Sequence, residues 1–184
     1  NIPSVLRCSG DDIQISEEFD YGVRRDSFIN SQVENNYHKF RKLVAITKTV
    51  VGEYKKIDVP ANTIELIPNG VDYKRFYNSS ILFDVRKRHN IPESAQIILS
   101  VGRQHPKKNY SIIPEIIQYL LDKNSEAYWI VIGEGVTSII EDSIAEEIKN
   151  KIILIDEINY DHNKNVEVPT DELINYYKQS CPCH

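Results

Sequence analysis

Residues 96 to 135, QIILSVGRQHPKKNYSIIPEIIQYLLDKNSEAYWIVIGEG, admit few folds. Ile97, Ile98, Leu99 and Val101 form an apolar run of the length expected for a strand buried on both faces, as in a parallel sheet. A basic loop follows at once. Then Ile112 and Ile113, Ile116 and Ile117, Leu120 and Leu121 recur in steps of four, which predicts a helix with one apolar stripe against a sheet. Asn109 and Ser111 stand where either could cap it. Tyr128 to Ile132 reads as the next strand, and Gly133-Glu134-Gly135 turns the chain toward another helix. The unit is β-loop-α-β.

In open α/β sheets ligands bind just beyond the carboxyl ends of the strands. The loop at that place carries Arg103, Lys107 and Lys108 with no acid beside them, and the following helix start adds partial positive charge. The loop reads as a seat for an anionic group. It is not a P-loop, because the fifth and sixth places after Gly102 are Lys107 and Lys108 with no Ser or Thr next. Nor is it a dinucleotide fingerprint, since the third small residue after Gly133 and Gly135 would fall on Ser138. On spacing alone the glycine pair is an ordinary strand-to-helix turn.

At 184 residues the chain has room for one domain or two small ones. A net charge of -5 excludes an electrostatic nucleic-acid binder, so any anion site is local. No apolar run approaches a membrane span and no signal peptide opens the chain, which predicts a soluble protein. Three cysteines form no disulfide framework, which suits the cytoplasm. The absence of Met, even at the first position, predicts a piece of a longer chain.

Elsewhere the pattern predicts a strand over 2–7, followed by a CSGDD loop in which Ser9, Gly10 and Asp12 face a ligand or simply form a surface turn. A helix is expected over 26–43 with Ile29, Val33, Tyr37 and Phe40 on one face, then a strand over 42–46 and a helix capped by Thr47. Ile64 to Ile67 reads as a strand ended by Pro68 and the Asn69-Gly70 turn. Helices are predicted over 80–89, with Ile81, Leu82 and Val85 inward and Arg86, Lys87 and Arg88 exposed, over 139–148, and after Thr170 with Leu173, Ile174 and Tyr177 inward. Ile152 to Ile155 is a strand and 157–169 a loop, where Asp161 and His162 read as solvated residues. Cys181, Cys183 and His184 lack the fourth ligand zinc requires.

Three segments then match something specific. IELIPNGVDYKRF at 64–76, IILSVGRQHPKKN at 97–109 and WIVIGEG at 129–135 stand in the order and spacing of the retaining nucleotide-sugar glycosyltransferases of family 4, which the chain resembles. The resemblance implies an α/β fold of GT-B type, with parts of two Rossmann-like domains built on parallel sheets. Residues 1–68 would be the last part of the acceptor-side domain. Residues 69–184 would be the first part of the nucleotide-sugar donor-binding domain, ending before the E-x7-E loop of relatives.

It further implies a hexosyltransferase-type enzyme of polysaccharide biosynthesis that moves a sugar from a nucleotide-diphosphate donor to a glycan or lipid-linked acceptor with retention. No cofactor or metal is implied, and peripheral docking of the parent on a membrane is left open. Arg103 and Lys108 would be the catalytic cations, with Lys107 the competing lysine. Charge builds on the leaving diphosphate as the glycosidic bond breaks, and fixed cations stabilise that transition state more than the ground state. Gly102, Gly133 and Glu134 would complete donor binding, and Ser9 and Gly10 would form the acceptor-side loop, although the histidine common there in relatives is missing. Asn69, Gly70 and Asp72 would shape the inter-domain turn. The alternatives are another GT-B enzyme, such as a phosphorylase or sugar-nucleotide epimerase, and a truncated α/β fragment without turnover.

Overall fold

Among the described residues six short strands pair into two parallel sheets, and helices connect successive strands. This is the computed structural model of the chain, and it describes residues 3–139, 144–156, 158 and 169–180. The fold is mixed α/β and divides into two units, Asn1–Val71 and Asp72–His184.

In the first unit β1 (Val5–Cys8), β2 (Lys42–Ala45) and β3 (Ile64–Leu66) lie side by side in that order. Central β2 alternates buried Leu43 and Ala45 with half-buried neighbours, as the two-residue period of a strand requires. Between them run α1 (Ser27–Asn36) and α2 (Lys48–Lys56). Thr47 caps α2 by accepting from the Val50 N–H at 3.2 Å. Buried Tyr54 on its inner face donates its hydroxyl to the Val44 carbonyl at 3.1 Å. The helix expected over 26–43 stops at Asn36 and gives way to a 3-10 turn, Tyr37–Lys39. There the side chains of Asn35 and Asn36 bond back to the Ser31 and Gln32 carbonyls, a local competition that weakens helix propagation.

The second unit holds α3 (Tyr73–Asn78), α4 (Val85–His89), β4 (Gln96–Val101), α5 (Ile113–Asp122), β5 (Ala127–Ile132), α6 (Glu146–Lys149), β6 (Ile152–Ile155) and α7 (Asp171–Gln179). Its sheet order is β4-β5-β6, so the most buried strand is β5. Ile113, Ile117 and Val131 belong to the core on one face, and Val85, Ile97, Ile130 and Tyr176 to the core on the other. Among the described strands β4 stands at an edge of its sheet. Of its residues only Ile97 is fully buried and Ile98 to Val101 are half-buried, so the expectation of a strand buried on both faces is corrected.

The helix expected over 80–89 begins only at Val85, where Asp84 caps it, and Ile81 and Leu82 are exposed. Arg88 is more than a solvated face, because its guanidinium sits 3.3 Å from the Phe83 ring centroid and 2.7 Å from Glu172. On α7, Ile174, Asn175 and Tyr176 are the buried residues while Tyr177 remains 44% exposed, so Tyr177 does not point inward as expected. Asp161, His162, Cys181, Cys183 and His184 lie outside the described residues.

His89 gives α4 and α7 a pH-dependent joint. Its Nε2 lies 2.9 Å from the hydroxyl of buried Tyr176, and burial, followed by the charge of Arg88, holds its pKa below the ordinary 6.5. Glu172 is the carboxylate across the joint, but it is engaged by Arg88. A depressed histidine contributes stability that is complete above pH 6.5 and is lost as the pH falls through its folded value. The urea midpoint of this unit, followed through Trp129, is expected to drop between pH 7.5 and pH 5 by more in wild type than in His89→Gln.

Candidate functional site: the loop after strand β4

The loop after β4 is built against the turn after β5. Gly102 donates its N–H to the Ile132 carbonyl at 2.8 Å, and Gln104 donates to the Glu134 carbonyl at 2.7 Å. Gly133, at φ +155, lets the Gly102–Arg103 peptide lie directly on its Cα. A Cβ there would stand 2.2 Å from the Gly102 oxygen and 2.8 Å from the Arg103 nitrogen. Gly133 itself donates to the Ile155 carbonyl at 2.9 Å, so the carboxyl ends of all three strands of this sheet are tied together.

Pro106–Lys108 forms a 3-10 turn, with the His105 Nδ1 accepting from the Lys107 N–H at 3.2 Å and the His105 carbonyl accepting from the Lys108 N–H at 2.8 Å. That turn folds the Lys108 side chain back over Gly102. A Cβ on Gly102 would lie 3.5 Å from Lys108 Cε and 3.8 Å from its Nζ. Of the two candidate lysines, Lys108 is therefore the one placed beside the end of β4. Arg103 is exposed one residue beyond, and among the described residues neither Arg103 nor Lys108 forms an ion pair with a carboxylate. Glu134 contributes its carbonyl to the turn and its side chain is exposed.

Asn109 adopts left-handed φ 50 and does not cap a helix, and neither does Ser111. A second 3-10 turn, Tyr110–Ile112, precedes α5, whose first turn is set by Pro114. Tyr110 is buried, and its hydroxyl donates to the Gly102 carbonyl at 3.3 Å. Burial pushes its pKa up, so it remains a donor throughout the neutral range. Sequence reasoning passed over Tyr110. The signal was there, since 110, 113 and 117 share one helical face and place a polar-tipped ring where that face meets the loop.

No family model matches the chain, and no curated protein matches it.

The loop after β1 is different in kind. The Asp12 carboxylate accepts from the Ser9 N–H at 3.0 Å and from the Gly10 N–H at 2.9 Å. Ser9 is exposed, while Gly10 is buried against Tyr21, whose hydroxyl would be 2.7 Å from an added Cβ. An internal anion thus already occupies these two donors. Asp72 caps α3 by accepting from the Arg75 N–H at 3.0 Å, and the Asn69 side chain accepts from Arg7. Gly70 is exposed with open space around it. Among the described residues no three His, Cys, Asp or Glu side chains gather as a metal site, and no helix is long and apolar enough to cross a membrane.

Proposed function

We propose that the chain is part of a retaining nucleotide-sugar glycosyltransferase of GT-B type, with residues 1–68 on the acceptor side and 69–184 on the donor side. One observation carries the reading: a lysine ammonium without a carboxylate partner lies beside the glycine that ends a parallel strand, with an exposed arginine next in sequence. A diphosphate leaving group needs this combination of charge and close backbone approach. In this reading Arg103 and Lys108 hold the diphosphate in place of a metal ion, and Gly102, Gly133 and Glu134 bring the backbone to the nucleotide. The N–H groups of Ser9 and Gly10 serve Asp12, so these residues shape the acceptor-side loop instead of contacting the sugar.

A charge-assisted contact contributes roughly 1.5–3 kcal/mol. Arg103→Ala or Lys108→Ala in the full-length transferase is therefore expected to lower transfer from a labelled sugar nucleotide by about tenfold to a hundredfold, whereas Lys107→Ala is expected to leave it near wild type. Equal losses for both lysines would remove the assignment.

The occupied donors after β1 favour a second reading, in which the chain binds a phosphate-containing ligand without turnover. Calorimetry with nucleoside diphosphates together with product analysis separates the two, because binding without a transferred sugar supports the second.

A further inference from the structure

The geometry points to Tyr110 as a positioning residue for the anion seat, an inference that rests on the diphosphate reading of that loop. Two groups converge on one point, the place a side chain on Gly102 would fill: the Tyr110 hydroxyl at 3.2 Å, and Lys108 with its Cε at 3.5 Å and its Nζ at 3.8 Å. Gly102, at φ +153, keeps that point empty. The Tyr110 hydroxyl also donates to the Gly102 carbonyl at 3.3 Å, and because the ring is buried the hydroxyl has little freedom to turn elsewhere.

The consequence concerns the peptide between Gly102 and Arg103. In a trans peptide the C=O and the N–H point in opposite directions, so fixing the carbonyl fixes the N–H. With its oxygen held by Tyr110, the peptide presents the Arg103 N–H away from the buried ring. That N–H donates to no acceptor among the described residues. Gly133 supports the peptide from its face, since any Cβ there would collide with it. The peptide is therefore fixed by a side chain on one edge and a glycine on one face. Its unspent donor stands at the same strand end as the Lys108 ammonium. Backbone N–H groups left unpaired at a strand end are the donors that phosphate oxygens use. Tyr110 acts through this peptide and touches no substrate.

Titration of the 184-residue protein with inorganic pyrophosphate, read by calorimetry and by backbone amide shifts, tests the inference. Wild type is expected to bind and to shift the Arg103 amide. Lys108→Ala is expected to bind about tenfold or more weakly, and Tyr110→Phe about three- to tenfold more weakly. In Tyr110→Phe the β5 amide shifts should match wild type while the pyrophosphate-induced shift at Arg103 shrinks. A purely structural tyrosine would lower the melting temperature and leave affinity and the Arg103 response unchanged in the folded protein, and that result overturns the proposal. Loss of binding in Lys108→Ala with none in Tyr110→Phe overturns the role of the tyrosine but keeps the site. Absence of pyrophosphate binding in wild type overturns the site and the inference together. If Tyr110→Phe does not fold, wild type decides alone: an Arg103 amide unmoved by bound pyrophosphate overturns the inference.

Discussion

Gly133→Ala is expected to dislodge the loop after β4 and to abolish measurable pyrophosphate binding in protein that is still folded. The new Cβ would stand 2.2, 2.4 and 2.8 Å from the Gly102 oxygen, the Gly102 carbonyl carbon and the Arg103 nitrogen. All three are backbone atoms, so no rotamer change relieves the clash. The loop must lift from β5, straining or breaking the bonds from Gly102 to Ile132 and from Gln104 to Glu134. A non-glycine residue held at a disfavoured φ costs on the order of 1–3 kcal/mol, and each lost hydrogen bond costs about 1 kcal/mol more. A loss of roughly 2–5 kcal/mol follows, read as a lower urea midpoint through Trp129, the single tryptophan, which lies on β5. Gly52→Ala is the control of opposite sign, read by far-UV circular dichroism because it lies in the first unit and Trp129 in the second. Gly52 lies within α2 with nothing within 4 Å of an added Cβ, so alanine there should stabilise the first unit by about 0.5–1 kcal/mol. An unchanged midpoint for Gly133→Ala would show that the two turns do not touch.

The contrast between these glycines also marks what the sequence could disclose. The β-loop-α-β order of residues 96 to 135 was legible because strand length, apolar stripe and glycine turn are local signals. Thr47 was legible as a cap for the same reason, and it accepts from the N–H three residues on. The position of β4 at an edge was not, because strand order depends on where the chain returns, and no local period records that. The basic loop was legible as an anion seat and the resemblance named Lys108 ahead of Lys107, but the approach of the Lys108 side chain to Gly102, by way of the 3-10 turn at Pro106–Lys108, was not. The self-contained loop after β1 carried a readable sign, an aspartate three residues after Ser9, since Asx side chains commonly bond to nearby backbone N–H groups. The helix predicted over 80–89 failed for a reason outside its own residues: its first half is claimed by side chains of α7.

That claim makes Asn175 the other position of large expected effect. Asn175 is 0% exposed. Its Oδ1 accepts from the Leu82 N–H at 2.9 Å and its Nδ2 donates to the Phe83 carbonyl at 3.1 Å, so one side chain serves both polarities of an extended backbone. Gln179, one turn further on, repeats the device: its Oε1 accepts from the Val85 N–H at 2.9 Å, and its Nε2 donates to the Phe83 carbonyl at 2.7 Å and to the Asn175 Oδ1 at 3.0 Å. Helix α7 thus does for this segment what a neighbouring strand would do. The Phe83 carbonyl, which in a helix over 80–89 would accept from the Lys87 N–H, is taken by its side chains, while the Lys87 N–H donates to Asp84. Asn175→Leu removes both bonds: it leaves the Leu82 N–H without its partner, at about 1–3 kcal/mol, and takes one of two donors from the Phe83 carbonyl, which keeps Gln179, at about 1 kcal/mol more. A total of roughly 2–4 kcal/mol is a large share of a domain's stability. It corresponds to a fall in melting temperature of about 10 °C or more for a unit of this size. Asn175→Asp separates the two bonds, since it keeps the acceptor for Leu82 and turns a carboxylate oxygen toward the Phe83 carbonyl. It should be destabilised at neutral pH and recover toward wild type as the pH falls and the carboxyl regains a proton to donate. A Trp129-monitored urea series on both variants, at pH 7.5 and pH 5, measures this. His89→Gln in the background keeps the histidine titration out of the comparison. A leucine variant as stable as wild type would mean that the 79–85 segment is held by its own packing and not by the polar face of α7.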